Sequence, residues 1–210
     1  MTLLEEYEKQ NVGREWERYL EKLPLKTEQT VCDLGCSIGF VTKLLARRVG
    51  KVVGFDSNPE LLEAAKRQSP TNCDFPLADI QTVDPAHFGM FDGIWMSFAL
   101  AYMRNPAAFI ARWTRQLRDG GWFAVADIDG MFSCHLPKSS RFLSETLQFE
   151  EMSEQSGFYD NRIGRKLKCL LEQNGLDVIV EDNDWYDREL NFSGPALPEI
   201  AENWEARLGR

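Results

Sequence analysis

The fold of this chain is decided by the stretch Val31-Cys32-Asp33-Leu34-Gly35-Cys36-Ser37-Ile38-Gly39-Phe40. A β-rich run from Thr30 to Leu34 carries an acid near its end and leads into two glycines four residues apart. After Phe40, apolar residues recur mostly at spacings of three and four, which predicts a helix. This order is typical of a site for a nucleotide-like ligand, because glycine lets the backbone approach the ligand and the helix N-terminus offers free N–H groups.

The acid in this stretch indicates which ligand the turn binds. The dinucleotide fingerprint is G-x-G-x-x-G, and here Ser37 takes the place of the second glycine, so a pyrophosphate would meet a side chain. Asp33, two residues before Gly35, would repel a pyrophosphate, whereas its carboxylate suits a ligand with an ammonium or a sulfonium group. S-adenosylmethionine (SAM) carries both groups. An ordinary βα turn with two glycines is the alternative interpretation.

The stretch resembles motif I of the class I SAM-dependent methyltransferases, usually written D/E-x-G-x-G-x-G, with Ser37 as the one departure. The resemblance extends over residues 30–128. It implies a Rossmann-like α/β fold, SAM as the cofactor and methyl transfer as the activity. It also implies that the first strand and turn contact the cofactor through Asp33, Gly35, Cys36 and Gly39.

A second predicted strand, Lys51 to Asp56, also ends in an acid. Asp56 follows Gly35 by 21 residues, close to the distance of about 20 at which such folds place a carboxylate on ribose hydroxyls. Ser57 or Asn58 then caps the next helix. Capping is the alternative role for Asp56, but Asn58 already serves it, and we expect Asp56 and Ser57 to bind SAM.

Two further strands extend the resemblance. Residues 74–80 read as the third strand and the turn that leaves it, which implies that Asp79 accepts from the adenine amino group and that the N–H of Ile80 donates to the ring. A turn aspartate is the alternative for Asp79. The fourth strand, Phe91 to Phe98, is similar to the family's strand that runs beside the methyl-donor end of SAM, which implies Ser97 as a contact.

Alternating strands and helices predict the architecture. A helix from Asn105 to Arg118 is followed by a glycine C-cap at Gly120-Gly121, and Trp122 to Asp127 forms a fifth strand. This rhythm predicts βαβ units with right-handed crossovers. We expect an α/β, Rossmann-like, doubly wound and mostly parallel sheet with helices on both faces. The family's seventh, antiparallel strand is either Trp185 to Phe192 or missing here.

The length predicts a single domain over residues 1–210. We expect an N-terminal helical lid over residues 1–24, built on a helix at 3–23. A small helical cap insertion over residues 130–160, with a helix near 139–155, is expected to cover the substrate. The remaining predicted elements are a helix at Ile163–Asn174, a sixth strand at Leu176–Val180 and a last helix at Glu199–Leu208.

The charge and cysteine content of the chain limit the kinds of ligand and partner that we expect. The net charge is −9 and the pI about 4.9, and the densest basic run, Arg162 to Lys168, is interpreted as the solvated face of a helix, which disfavours nucleic acid and anionic membranes as partners. Five cysteines without a C-x-x-C pair indicate neither a metal site nor a disulfide framework. With no leader or membrane span visible, we expect a cytoplasmic protein that acts on a small-molecule acceptor. The sequence leaves the oligomeric state open, a homodimer included.

Two other functions stay open at this point. A nicotinamide-dependent oxidoreductase predicts a third glycine at the first turn and a Tyr-x-x-x-Lys or similar pair, and neither stands out. A non-catalytic SAM-binding module on the same fold is not distinguished by sequence. For methyl transfer, alignment of the nucleophile matters more than acid–base groups. By type and place, His135 is the best candidate base, and a surface histidine is the alternative.

Overall fold

The computed structural model describes residues 2–11, 14–130, 140–181, 187, 190 and 197–208. One sheet contains five strands: β1 (Thr30–Leu34), β2 (Lys51–Phe55), β3 (Cys73–Asp74), β4 (Phe91–Ser97) and β5 (Leu117–Ala126). The α-helices of the described ranges are α1 (Leu3–Asn11), α2 (Trp16–Leu20), α3 (Phe40–Ala46), α4 (Pro59–Gln68), α5 (Pro106–Thr114), α6 (Ser140–Gln155), α7 (Leu167–Gln173) and α8 (Pro198–Leu208). Short 3-10 helices lie at Pro85–Phe88, Leu100–Tyr102 and Gly164–Lys166.

The described strands are all parallel and lie in the order β3-β2-β1-β4-β5. The first strand, β1, is therefore the central one. The next two strands, β2 and β3, extend the sheet to one side, and the chain then crosses over to form β4 and β5 on the other side of β1. This is the predicted doubly wound α/β architecture, and it is confirmed. The direction of winding reverses between β1 and β4, so the carboxyl ends of these two strands border a crevice, where ligands bind in such sheets.

Helices cover both faces of the sheet, as a parallel sheet requires. Side chains along β1 alternate between two apolar clusters: Val31 packs with α2 and α3, whereas Leu34 packs with α5 and α7. Trp113 of α5 is fully buried, and its ring meets Phe55 of β2 edge-on at 5.4 Å between centroids. Packing on both faces fixes the position of each strand along its own direction, and so the positions of the residues that follow the strand.

Two helices begin at the predicted caps. The side chain of Asn58 accepts hydrogen bonds from the backbone N–H groups of Glu60 and Leu61, and proline follows at the first helical position. The side chain of Asn105 accepts from the N–H of Ala108 in the same way. These caps stop the helices from extending back into the loops at the sheet's carboxyl edge.

Two predicted elements differ in extent. The N-terminal segment forms two helices, α1 and α2, and not one helix over residues 3–23; the glycine at position 13 in the sequence lowers the helix propensity between them. The third strand is confined to two residues and does not reach Ile80. Proline at position 76 has no N–H for the ladder, and Leu77 makes only an isolated bridge to Asp56.

The predicted glycine C-cap at Gly120-Gly121 is wrong. Helix α5 ends at Thr114, and β5 already begins at Leu117, which pairs with Phe91. The register shifts after this pair, so the two glycines lie in a bulge of the strand. Gly120 has a φ of +75°, a conformation that glycine adopts without strain.

The C-terminal predictions have mixed outcomes. Helices α6 and α8 lie where helices were expected, and α7 lies within the expected Ile163–Asn174. The predicted sixth strand at Leu176–Val180 is wrong: the segment is not a strand and joins no ladder of the described sheet, and the side chain of Ile179 is 91% exposed. The candidate seventh strand at Trp185–Phe192 lies outside the described residues, apart from positions 187 and 190. None of the helices in the described ranges has the length and apolarity needed to cross a membrane.

Two glycines with similar backbone conformations allow the packing of the first turn to be tested. Gly39 and Gly120 have φ of +71° and +75°, but a Cβ at Gly39 would lie 2.9 Å from Cβ of Ala65 in α4, whereas one at Gly120 meets nothing within 4 Å. We expect Gly120→Ala to lower the free energy of unfolding by about 1 kcal/mol through backbone strain alone. Gly39→Ala should lower it by at least about 2 kcal/mol, because α4 must also move away from the turn.

Urea unfolding of the two variants and the parent measures this difference. Gly120→Ala is the control for the positive φ without the close contact. Equal losses in the two variants would show that the approach of α4 to the first turn does not stabilise the fold.

Candidate active site

One cavity of about 580 Å³ lies at the carboxyl ends of β1, β2 and β4. Its lining includes eight of the nine residues that the sequence placed beside the cofactor: Asp33, Gly35, Cys36, Asp56, Ser57, Asp79, Ile80 and Ser97. These eight meet because the carboxyl ends of parallel strands lie at one edge of a sheet. The ninth, Gly39, does not line the cavity; it precedes α3 in a left-handed conformation and faces Ala65.

Asp33, at the end of β1, is only 2% exposed. Its Oδ2 accepts a hydrogen bond of 2.6 Å from Oγ1 of Thr42 in α3. Burial raises the pKa of Asp33 to about 7; the Thr42 hydrogen bond opposes this rise, and the nearby Asp56 carboxylate adds to it. No cation pairs with Asp33 among the described residues, so a positively charged ligand would stabilise its ionised form.

Asp56 organises the turn on the neighbouring strand. Its Oδ2 accepts from the N–H of Ser37 at 2.8 Å, and its Oδ1 accepts from the N–H of Asn58 at 2.9 Å. Asn58 caps α4, so the capping role considered for Asp56 is filled by Asn58, and Asp56 instead forms the turn that precedes the cap. Each carboxylate oxygen keeps a lone pair for a second donor, and Asp56 lines the cavity, so ligand hydroxyls can also bind it.

The first turn is strained at the residue that departs from glycine. Ser37 has a φ of +51°, which non-glycine residues rarely adopt. Its Oγ is buried and has no hydrogen-bond partner among the described residues. Gly35 has a φ of +78°, and a Cβ there would lie 2.8 Å from Cβ of Ala99. Because Ser37 lines the cavity, a group bound there can supply a hydrogen-bond partner for this hydroxyl.

The turn after β3 closes one end of the cavity. Asp79 is exposed, and its Oδ1 accepts from the N–H of Gln81 at 2.8 Å, as in an ordinary aspartate turn. Ile80 is buried, and its carbonyl accepts from Arg112 and from the indole N–H of Trp113. Both the turn role and the position beside the cavity are therefore found for Asp79.

A second group of lining residues consists of three tyrosines from distant parts of the chain, Tyr7, Tyr102 and Tyr159. The rings of Tyr102 and Tyr159 meet edge to face with 4.6 Å between centroids. Burial raises the pKa of all three phenols, that of Tyr7 to about 12, and neighbouring phenols or carboxylates raise each further. The three phenols therefore stay protonated at neutral pH and can donate hydrogen bonds.

Arg14 is the only cation among the described residues that line the cavity. Its Nε donates to Oδ2 of Asp187 at 2.6 Å, and both side chains are largely buried. The guanidinium also lies over the ring of Phe98, 4.5 Å from its centroid. The charge of Arg14 is thus balanced by a buried partner and contacts an aromatic face.

Asp127, which directly follows β5, holds the backbone of a segment that lines the cavity. Its Oδ2 accepts from the N–H groups of Leu100 and Ala101, and its Oδ1 accepts from the N–H of Ile128. Burial raises the pKa of Asp127 to about 6, although the three N–H donors lower it. These bonds hold the 3-10 helix that carries Tyr102, so Asp127 positions this tyrosine.

Neither the candidate base nor the phenylalanines of the predicted cap belong to the described lining. His135 and Phe132 fall outside the described residues, as does the side chain of Phe142, so His135 stays a prediction. Phe149 is 55% exposed and does not line the cavity. Asp129 lies outside the lining and forms an ion pair with Arg165.

The sequence reasoning missed other lining residues, namely Glu6, Arg14, Tyr159 and Trp204. These residues come from segments far along the chain from the strand ends; the ion pair of Arg14 with Asp187 spans 173 residues. No local motif marks such residues. The one sequence signal that favours such a lining is the excess of aromatic side chains, six Trp and thirteen Phe.

A family model and two known proteins that this chain resembles are methyltransferases. A model described as a methyltransferase domain matches residues 32–125. The trans-aconitate 2-methyltransferase of Mycobacterium marinum is 30% identical over 195 residues, which cover 90% of this chain and 71% of that protein. The phosphoethanolamine N-methyltransferase 1 of Zea mays is 26% identical over 208 residues, which cover 91% of this chain and 40% of that protein. The chain therefore spans less than half the length of the maize protein.

A solved structure shares the fold. The methyltransferase in a complex with the Haloferax volcanii Trm112 methyltransferase activator aligns with a TM-score of 0.64. The alignment covers 90% of this chain and 83% of that chain at 19% identity. At this identity the likeness shows the fold alone.

The raised pKa of Asp33 makes stability depend on pH. Its pKa is about 7 in the folded chain, against an ordinary value of 3.8. Between these values the folded state keeps the proton and the unfolded state releases it, so the free energy of unfolding falls as the pH rises through this interval. We expect the Asp33 contribution alone to make the unliganded protein less stable at about pH 7.5 than at about pH 5 by at least about 1 kcal/mol.

Urea unfolding of the parent and of Asp33→Asn at both pH values isolates this contribution. The asparagine variant should lose less stability than the parent over the same rise in pH, because the amide does not ionise. Asp127 contributes in the same direction and is unchanged in both proteins. The assignment is wrong if the two proteins show the same pH dependence.

Proposed function

We propose that this chain, which belongs to the class I SAM-dependent methyltransferases, transfers the methyl group of SAM to a small-molecule acceptor. The observation that carries the proposal is the buried carboxylate of Asp33, which lines the cavity beside the glycine turn and has no cationic partner among the described residues. SAM has a net positive charge, and a dinucleotide pyrophosphate is negative. An acidic lining therefore favours SAM over the nicotinamide cofactors of the rival oxidoreductase.

The lining residues fit the parts of SAM in order along the sheet edge. Asp33 would pair with the ammonium group, and Asp56, already the acceptor of two backbone N–H groups, would accept from the ribose hydroxyls. Asp79 and Ile80 would hold the adenine. The partnerless hydroxyl of Ser37 adds a donor in the turn itself. The fit supports these assignments, which go beyond the family as proposals.

The bound cofactor would supply an activated methyl group on a sulfonium. The task of the chain is then to align the acceptor and to exclude competing nucleophiles. We assign the acceptor to the part of the cavity that holds the three tyrosines, because the acids that suit SAM lie at the ends of β1 and β2. The cavity of about 580 Å³ is within the usual range of small-molecule sites.

The lid and cap predicted from sequence both contribute tyrosines to the part of the cavity that we assign to the acceptor. Tyr7 belongs to α1, within the proposed lid at residues 1–24, and Tyr159 lies at the end of the proposed cap at residues 130–160. Both reach the same cavity from opposite ends of the chain. We propose that these segments enclose the acceptor within a single domain. The cytoplasmic location and a homodimer stay predictions.

The relatives support a small acceptor. Their names specify trans-aconitate and phosphoethanolamine as the molecules that those proteins methylate. Purified protein, labelled SAM and pools of small acceptors test the activity by the gain of one methyl mass. Binding of SAM without transfer to any pool would favour the second candidate, a non-catalytic SAM-binding module, which the fold also allows.

The role of Asp56 can be separated from general stability. We expect Asp56→Asn to weaken the affinity for S-adenosylhomocysteine (SAH) about tenfold, because one charged acceptor for the ribose hydroxyls is lost. The matched control is Asp74→Asn, an exposed aspartate of β3 that pairs with Lys51 and does not line the cavity. Isothermal titration with SAH measures both variants.

A nucleoside pair makes the test specific for the ribose. The parent should bind adenosine more tightly than 2′,3′-dideoxyadenosine, and Asp56→Asn should lose most of that preference. If the variant keeps the full preference for the hydroxylated nucleoside, Asp56 supports only the turn and the ribose assignment fails.

A further inference from the structure

We propose that the acceptor is an amine that enters the cavity as an ammonium ion and is held against Tyr7, Tyr102 and Tyr159. This inference rests on the proposed function and names its substrate class. It depends on two independent features of the cavity, the arrangement of the phenols and the distribution of charge.

The three phenols form a site with aromatic faces and unused donors. Tyr102 and Tyr159 pack edge to face with 4.6 Å between their ring centroids, and both residues line the cavity. Tyr7 enters from α1 near enough to both phenols to interact with them electrostatically. None of the three hydroxyls hydrogen-bonds to a residue of the described ranges, although all three residues line the cavity. Aromatic faces attract cations through the ring quadrupole.

Most of the charges that act on these phenols are negative, and the Arg14 guanidinium opposes them at Tyr7. Glu6 lines the cavity and lies close enough to act electrostatically on Tyr7 and Tyr102, and Asp127 acts on Tyr102 and Tyr159 in the same way. An ammonium ion placed among the phenols would thus feel both the ring faces and these carboxylates. An anionic acceptor would be repelled by the same groups.

The one cation of the described lining already has a carboxylate partner. Arg14 is held by Asp187 at 2.6 Å in a largely buried pair, so the pair has no net charge to offer an anion. Its guanidinium lies over Phe98 at 4.5 Å, which shows that this cavity already accommodates one cation on an aromatic face. An acidic substrate would need a second cation, and the described lining has none.

Methyl transfer to an amine conserves atoms and charge in the following steps. The ammonium first loses one proton to solvent, and the freed nitrogen lone pair forms the N–C bond as the S–C bond breaks. The electrons of the S–C bond stay on sulfur, so SAH leaves as a neutral thioether. The product nitrogen is again a cation, which the phenol faces and nearby carboxylates stabilise as it forms.

The test uses two probes of nearly equal shape. Choline carries a permanent ammonium, and 3,3-dimethyl-1-butanol is its neutral isostere; each is titrated into protein saturated with SAH. We expect choline to bind at least about tenfold more tightly than the alcohol. Tyr159→Leu should remove most of this preference, and Tyr159→Phe should retain it, because phenylalanine keeps the ring face.

The matched control is Phe158→Leu, the adjacent aromatic residue, which is 74% exposed and does not line the cavity. It should leave the preference for choline unchanged. The inference is overturned if choline binds no more tightly than its isostere, or if the trianion tricarballylate binds more tightly than choline.

A second readout separates this inference from the proposed function. Label from methyl-labelled SAM should enter amine pools in an alkali-stable form, as expected of N-methyl groups. Alkali-labile label in a carboxylic acid pool would overturn the amine and keep the methyltransferase. Failure of the parent to bind SAH at all would instead contradict the proposed function.

Discussion

The carboxylate of Asp33 is the constraint on which the site depends. It lies at the end of the central strand β1, is almost completely buried, and has only the Thr42 hydroxyl as a side-chain hydrogen-bond partner among the described residues. Burial without a cationic partner among the described residues disfavours the ionised carboxylate and raises the pKa of Asp33 to about 7. A positively charged ligand beside Asp33 would therefore favour the ionised carboxylate. This requirement selects SAM over a pyrophosphate more strongly than the glycines do.

Asp56 couples this requirement to the backbone of the first turn. It lies at the end of the strand that pairs with β1, and its oxygens hold the N–H groups of Ser37 and Asn58. Ser37 is kept at a positive φ, so the turn carries strain at the residue nearest to this carboxylate. Asp56 therefore determines both the backbone conformation of the first turn and part of the negative charge of the cofactor site.

The sequence predicted the parts of the site that depend on strand ends. Asp33 and Asp56 each follow a short apolar run, and in a parallel sheet such positions meet at one edge. Tyr159 and Arg14 reach the cavity through packing between distant segments, which no local pattern records. The false strand at Leu176–Val180 shows the converse: β-branched residues predict a strand, but none of the five described strands pairs with this segment and Ile179 stays in solvent.

The most direct test is the number of protons released when SAH binds, measured by calorimetry at about pH 6 in buffers of different ionisation enthalpy. If the SAH ammonium pairs with Asp33, whose pKa is about 7 in the free protein, binding must ionise this carboxyl. The account predicts release of close to one proton per SAH in the parent and almost none in Asp33→Asn. Absence of proton release in the parent, or equal release in both proteins, would contradict it.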